Sequence, residues 1–374
     1  MMQQNHKIKV SPQPKNSDYT ITIGENIIDL LGKFITQNYA DYQLVVVTDE
    51  NVYRDQYQNL IRHLDEENIH LIVNKPGEES KSRLVKNPID DELLSKNYTR
   101  KTLLIAFGGG VVGDLTGYIA ATYKRGIPFI QVPTSLLAMV DSSVGGKTGI
   151  NTKYGKNLIG AFWQPAAVFA DITMLKTLPQ EEYLNGFAEC IKAALILDAD
   201  LFGYMEKNIE AILRRDTEFV SHIIKRCVEL KKEVVNLDTR EKGIRQILNF
   251  GHTIGHAMET LSNYQIKHGF GVSIGMAVEL KMSQLSGEIS EEDFNRVVRF
   301  LDNAKMPYKV PGAFSVEEIH KIMLSDKKAE KGVIKYVLLD KIGKYREVNN
   351  KFSFSSGDEI VRESINVCKE NERK

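Results

Sequence analysis

The chain has 374 residues, 49 of them basic and 49 acidic, so its formal net charge at pH 7 is zero. That balance provides no basic field for nucleic acid, and no apolar run approaches the roughly 20 residues of a membrane span. Three scattered cysteines, Cys190, Cys227 and Cys368, suit a reducing compartment rather than a disulfide scaffold. The polar stretch 1–15 lacks the apolar core of a secretory signal, so the expectation is a cytoplasmic globular protein long enough for two domains.

In chain order, short β-branched runs come first. Segments 44–48, 69–73, 102–107, 129–133 and 167–170 read as strands, and their near-continuous apolar character is that of a parallel sheet covered on both faces. After about residue 178 the pattern changes. Helical spacing runs through 181–197, 201–215, 218–235, 245–261, 271–286, 291–304 and 316–324, and a late β pair is expected at 333–339 and 344–348. The expected organisation is an α/β domain over 1–178 and a mainly α-helical domain over 179–374, with a cleft between them as the default site.

The loops after the strands carry the first chemistry. Gly108-Gly109-Gly110-Val111-Val112-Gly113-Asp114 follows a strand and opens a helix. Glycine lets backbone N–H groups approach an anion, and a helix N-terminus favours negative charge. The run satisfies G-x-G-x-x-G, yet no acidic residue ends the next strand. Asp49, after an earlier strand, could take the ribose instead; a tight turn is the alternative. Pro76-Gly77-Glu78-Glu79-Ser80-Lys81-Ser82 and Pro133-Thr134-Ser135 offer hydroxyl- and phosphate-facing groups, or merely helix caps. Asp141-Ser142-Ser143-Val144-Gly145-Gly146-Lys147-Thr148 fails the Walker spacing because Asp141 stands where the first glycine belongs, which disfavours ATP hydrolysis. With Gly155-Lys156-Asn157, these lysines and glycines suit a phosphorylated, hydroxyl-rich molecule.

In the helical half, Glu189 and Lys192 lie three apart in an apolar helix, a structural ion pair or part of a site. Lys231 and Arg245 flank the approach to Asn249-Phe250-Gly251-His252-Thr253-Ile254-Gly255-His256, and Lys267-His268-Gly269 follows. Three of the chain's eight histidines fall between 252 and 268, which points to metal binding, proton transfer or both. By spacing alone, His252 and His256, one helical turn apart, are the paired ligands. His6, His63, His70, His222 and His320 lie in ordinary surroundings.

Taken together, 108–114, 131–157, 185–192, 245–256 and His268-Gly269 resemble, in order and spacing, the 3-dehydroquinate synthases of the sugar phosphate cyclase superfamily, over about 49–348. That family is similar in fold to glycerol dehydrogenase. The resemblance implies an α/β NAD-binding domain, a helical metal-binding domain and a homodimer. It implies that Glu189, His252 and His268 hold a divalent metal, zinc or alternatively cobalt, with His256 beside the substrate rather than on the metal. It assigns NAD to Asp49, Glu78, Lys81, Gly109, Gly110, Val111, Asp114, Thr134, Ser135, Thr177 and Asn185, and brings Asp141, Lys147 and Lys156 near the cofactor. The substrate, a phosphorylated seven-carbon sugar acid, would meet Arg125, Asp141, Lys147, Asn157, Lys192, Lys231, Arg245, Asn249 and His256. A lysine of Asp326-Lys327-Lys328, Lys328 or its neighbour, would reach the phosphate.

The implied reaction turns 3-deoxy-D-arabino-heptulosonate 7-phosphate into 3-dehydroquinate and phosphate, through transient oxidation by NAD, phosphate elimination, re-reduction and aldol closure. Another sugar phosphate cyclase, such as 2-deoxy-scyllo-inosose synthase, and a metal-dependent polyol dehydrogenase are the alternatives. Two departures stand out. The family often carries His-Gly-Glu where this chain has His268-Gly269-Phe270, which removes a carboxylate beside a ligand. Asn87-Pro88 falls in a region usually helical, so that helix is expected to start late.

Overall fold

The structure is a computed structural model, and it describes residues 5–11, 18–64, 68–325 and 333–370. The chain forms two compact units, Met1–Pro179 with Val220–Asn236, and Gln180–Phe219 with Leu237–Lys374. A single cut after residue 178 misses one thing: segment Val220–Asn236 belongs with the first unit.

The first unit is built on a seven-stranded sheet ordered β1-β2-β9-β6-β5-β3-β4. Its strands are β1 (His6–Val10), β2 (Tyr19–Gly24), β3 (Gln43–Asp49), β4 (Ile69–Asn74), β5 (Thr102–Gly108), β6 (Phe129–Pro133) and β9 (Ala167–Asp171). All neighbours pair in parallel except β1 with β2. Every residue of β5, β6 and β9 is buried, which is why these strands read as unbroken apolar runs. Helices α1 (Ile28–Asn38), α2 (Glu50–Ile61), α3 (Arg83–Ser95) and α4 (Gly110–Thr122) connect them. Val45, Val47, Leu104, Ala106, Leu115, Ile119 and Phe129 lie together in the core.

The strand order decides where a ligand can sit. The chain goes from β3 outward to β4, then crosses to the other side of β3 to lay down β5 and β6. The topological switch therefore falls between β3 and β5, and their carboxyl ends carry Asp49 and Gly108. This explains how an acid from an earlier strand comes to lie beside the glycine loop.

A two-stranded hairpin, β7 (Lys147–Thr152) and β8 (Gly155–Phe162), stands apart from the main sheet and packs on α4. It was absent from the sequence reading, as were β1 and β2. Helix α3 starts at Arg83 and carries Pro88 in its interior, against the expectation of a late start. Proline removes its own donor and its ring crowds the Leu84 carbonyl four residues earlier; Leu84 is exposed, so that carbonyl can turn to water.

The second unit is helical: α5 (Gln180–Leu197), α6 (Ala199–Leu213), the start of α7 (Thr217–Leu237), α8 (His252–Leu261), α9 (His268–Leu285), α10 (Glu291–Asn303), α11 (Val316–Ser325) and α12 (Asp358–Val367). Helix α9 is buried over most of its length and packs against α5, α8, α10 and α12, so it is the centre of this core. The expected helix 245–261 is two elements, a 3-10 helix Ile244–Asn249 and α8, separated at Gly251 with φ 77°. Helix α9 begins at His268, earlier than expected, and α12 was not foreseen. The late β pair is only β10 (Leu339–Lys341) and β11 (Lys344–Tyr345). No helix among the described residues is long and apolar enough to cross a membrane.

Candidate active site

In the helical unit, Glu189 of α5, His252 at the start of α8 and His268 at the start of α9 converge. One donor atom from each lies within 4.8 Å of the others. His252 Nε2 is 3.8 Å and His268 Nε2 3.5 Å from Glu189 Oε1. The spacing argument for His252 with His256 is thereby corrected. His252 groups with Glu189 and His268, while His256 belongs to a second group with Glu259 and His268.

The ring orientations are set by the backbone and by a carboxylate. His252 Nδ1 lies 3.1 Å from the Phe250 carbonyl, which can only accept, so Nδ1 donates to it and Nε2 is the atom nearest Glu189. His268 Nδ1 lies 2.9 Å from Glu259 Oε1. Burial pulls the His268 pKa down, but hydrogen bonds to Glu189 and Glu259 outweigh it and hold it up at about 9. A bound divalent cation would take the place of that proton. Lys192 pairs with Glu189 within α5, and both are buried, a costly arrangement that loop-borne surface pairs avoid.

The start of α9 is held from α5. Asn185 Oδ1 accepts the Gly269 N–H at 2.7 Å, and Lys267 pairs with Glu182 and, at 3.1 Å, with Glu181. A Cβ at position 269 would lie 1.9 Å from the Asn185 carbonyl oxygen, so only glycine lets α9 begin there. Asn185, assigned to NAD by the resemblance, thus anchors the helix that carries His268. On the 3-10 helix, the buried Arg245 donates from Nη1 to the Thr239 carbonyl at 2.6 Å, and Asn249 Nδ2 donates to Glu241 Oε1 at 2.6 Å.

In the sheet unit, Gly109 is the N-cap of α4, with Gly110 and Val111 opening the helix. Thr134 donates its N–H to the Gly108 carbonyl at 3.0 Å, which joins the loop after β6 to the loop after β5. A Cβ on Gly109 would meet Ser135 Oγ at 3.4 Å, and one on Gly110 would meet Ser142 Oγ at 3.0 Å. Lys81 Nζ pairs with Asp114 at 2.5 Å; burial pushes the Asp114 carboxyl up and Lys81 opposes it. Asp49 caps α2 by accepting the Asn51 and Val52 N–H groups at 2.9 and 3.1 Å, and burial raises its pKa. Thr177 Oγ1 accepts from Gln56 at 2.6 Å.

The hairpin is tied to the same region. Asn151 donates from Nδ2 to Glu78 at 2.7 Å and from its backbone to the Lys81 carbonyl at 2.8 Å, and its Oδ1 accepts the Asn157 N–H at 3.0 Å. Lys231, from α7, reaches Asp141 Oδ1 at 2.5 Å and the Asp141 carbonyl at 2.6 Å. Lys147 opens β7 with its side chain exposed, and Lys156 stands on β8.

Arg125, assigned to the substrate by the resemblance, is exposed in the 3-10 turn Tyr123–Arg125 that follows α4. Lys327 and Lys328 lie outside the described residues. The sequence reading missed Glu259, Asn151 and Glu241. For Glu259 a signal existed: His252, His256 and Glu259 are spaced four and three apart, the spacing of one helical face.

Two family models match this chain, 3-dehydroquinate synthase N-terminal over residues 71–185 and 3-dehydroquinate synthase C-terminal over 186–329. A curated 3-dehydroquinate synthase from Geobacter metallireducens is 44% identical over 353 residues, covering 94% of this chain and 96% of the relative. Among solved structures, a 2-deoxy-scyllo-inosose synthase complexed with carbaglucose-6-phosphate, NAD+ and Co2+ superposes with a TM-score of 0.87 at 24% identity, over 96% of this chain and 99% of that one. The 2-epi-5-epi-valiolone synthase ValA from Streptomyces hygroscopicus subsp. jinggangensis 5008, with NAD+ and Zn2+ bound, gives 0.83 at 23% identity, over 94% and 96%. At those identities the two structures establish the fold. The matches to both family models and to the curated relative settle the lineage, and the chain belongs to the 3-dehydroquinate synthase family.

Proposed function

We propose that this chain converts 3-deoxy-D-arabino-heptulosonate 7-phosphate into 3-dehydroquinate and phosphate, in the shikimate route to aromatic amino acids, as an NAD- and metal-dependent lyase. The observation that carries the reading is the convergence of Glu189, His252 and His268 in a chain of this family. One carboxylate oxygen and two imidazole nitrogens are a donor set that fits zinc or cobalt and leaves a coordination position for an outside ligand. The solved relatives hold NAD+ with Co2+ or Zn2+, in support of both cofactors. When bound, the metal supplies a Lewis acid for a carbinol oxygen, and NAD supplies a reversible hydride acceptor.

The chain's own residues do the rest. The N-terminus of α4, at Gly109, Gly110 and Val111, receives the pyrophosphate, and Asp49 on the adjacent strand receives a ribose. Glu78, Lys81, Asp114, Thr134, Ser135 and Thr177 complete that side. Lys147, Lys156, Lys192, Lys231 and Arg245 balance the carboxylate and phosphate charges of the substrate, so that phosphate can leave as an anion. Asp141, Asn157, Asn249 and His256 orient hydroxyls, and the His256 imidazole moves a proton. The three buried, unlinked thiols support a cytoplasmic enzyme, and a homodimer is expected on sedimentation.

The test is incubation of the metal-loaded protein with catalytic NAD and the heptulosonate phosphate. Phosphate and dehydroquinate should appear in equal amounts without accumulation of NADH. No turnover sinks the reading, and net NADH formation from simple polyols replaces it with a dehydrogenase.

A further inference from the structure

The carboxylate expected beside the last metal ligand is missing from position 270, yet His268 does not lack one. Glu259 Oε1 lies 2.9 Å from His268 Nδ1, and its side chain is 4% exposed. At 100° per residue, Glu259 lies seven residues, about 20° short of two full turns, from His252, and His256 lies about 40° to the other side. One strip of α8 therefore carries a metal-group imidazole, the imidazole of the second group and this carboxylate. His268, entering from α9, joins them: the donor atoms of His256, Glu259 and His268 lie within 4.8 Å of one another.

Local helix preferences do not select an acid at this position. Glu259 sits in the last turn of α8, where the helix dipole disfavours negative charge and where burial adds a desolvation cost. What offsets this is the tertiary partner. Phe270 offers the imidazole no acceptor.

We propose that Glu259 is a positioning residue of the metal centre, holding the Nδ1–H of His268 so that Nε2 faces Glu189. The proposal rests on the reading that Glu189, His252 and His268 hold a divalent metal. A carboxylate on the outer nitrogen orients the ring and strengthens it as a ligand, and its loss typically costs roughly 10–100-fold in metal affinity.

The experiment measures the zinc dissociation constant by chelator competition, with no substrate present, for the wild-type chain, Glu259→Gln and Glu259→Asp. Thermal unfolding of each metal-free protein and the visible spectrum of each cobalt-loaded protein accompany it. Glu259→Gln should bind zinc roughly 10–100-fold more weakly, with shifted cobalt bands. Glu259→Asp, which keeps the charge at shorter reach, should recover part of the loss. Unchanged affinity in Glu259→Gln overturns the proposal, as does a loss that is equal in both variants and tracks their metal-free stability. A wild-type chain that binds no metal overturns instead the reading on which the proposal rests.

Discussion

At the scale of single residues, buried charge is the recurring feature of both units. Lys81 and Asp114 form a pair with side chains 6% and 18% exposed. Removing one partner leaves the other uncompensated, which costs more than the pair itself contributes. Lys81→Met should therefore destabilise the protein by about 3 kcal/mol at neutral pH, read by urea unfolding. The pH dependence has a definite sign. Burial, the larger influence, raises the folded pKa of Asp114, and Lys81 opposes it. With Lys81 gone only the raising influence remains, so ionising Asp114 costs stability once the pH passes its unfolded pKa of about 4. The gap between variant and wild type should be smallest below that pH and widen as the pH rises through the folded pKa. A gap independent of pH would remove Asp114 from the explanation.

At the scale of elements, the positions of His252 and His268 depend on how closely α8 and α9 approach. Four glycines make the contact. A Cβ on Gly275 would meet the Gly251 carbonyl oxygen at 1.9 Å, and one on Gly271 would meet the Gly255 carbonyl oxygen at 2.8 Å. The Gly251 N–H is in turn accepted by the buried Glu279 at 2.9 Å, which ties the first turn of α8 to the middle of α9. Gly275→Ala must push the helices apart. The expected cost is about 1–3 kcal/mol in denaturant unfolding, with weakened metal binding because the ligand atoms separate. Retained affinity alongside lost stability would show that the ligand geometry does not depend on this contact. The 3-10 helix and α8 could not be told from one helix by periodicity, because the left-handed Gly251 interrupts the backbone without interrupting the apolar pattern.

At the scale of the whole molecule, the two units have different duties. The sheet unit carries the glycine loop and Asp49; the helical unit carries Glu189, His252 and His268. A ligand that binds the native state stabilises the part that holds it, by about 4 kcal/mol at a thousand times its dissociation constant. Removing the metal with a chelator should therefore speed amide hydrogen exchange in α8, α9 and the middle of α5, and leave β3 and β5 unchanged. Uniform loss of protection across both units would contradict a metal site confined to the helical one.

The sheet strands β3, β4, β5, β6 and β9 and the main helices were legible because each is a local pattern. A strand buried on both faces is a continuous β-branched run, and an amphipathic helix repeats every 3.6 residues. The glycine loop and the histidine cluster were legible for the same reason. The hairpin β7–β8 was not, since its glycines, lysines and asparagines carry no alternation. Nor does the stripe on α7 say which core it joins, and its segment Val220–Asn236 lies with the sheet unit, where Lys231 meets Asp141.

By itself, then, the amino-acid order determined the central strands of the sheet, most of the C-terminal helices, the glycine loop and the histidine cluster. Periodicity and spacing alone did not decide which side chains share it; the tertiary structure brings together Glu189, His252 and His268, the group that the resemblance implies. Glu189 comes from α5, far along the chain from the histidines, and Glu259 of α8 meets His268 at the start of α9. Such partnerships are decided by how helices pack, through the glycine contacts of α8 with α9 and the Asn185 anchor, and no local periodicity encodes a contact made between distant elements.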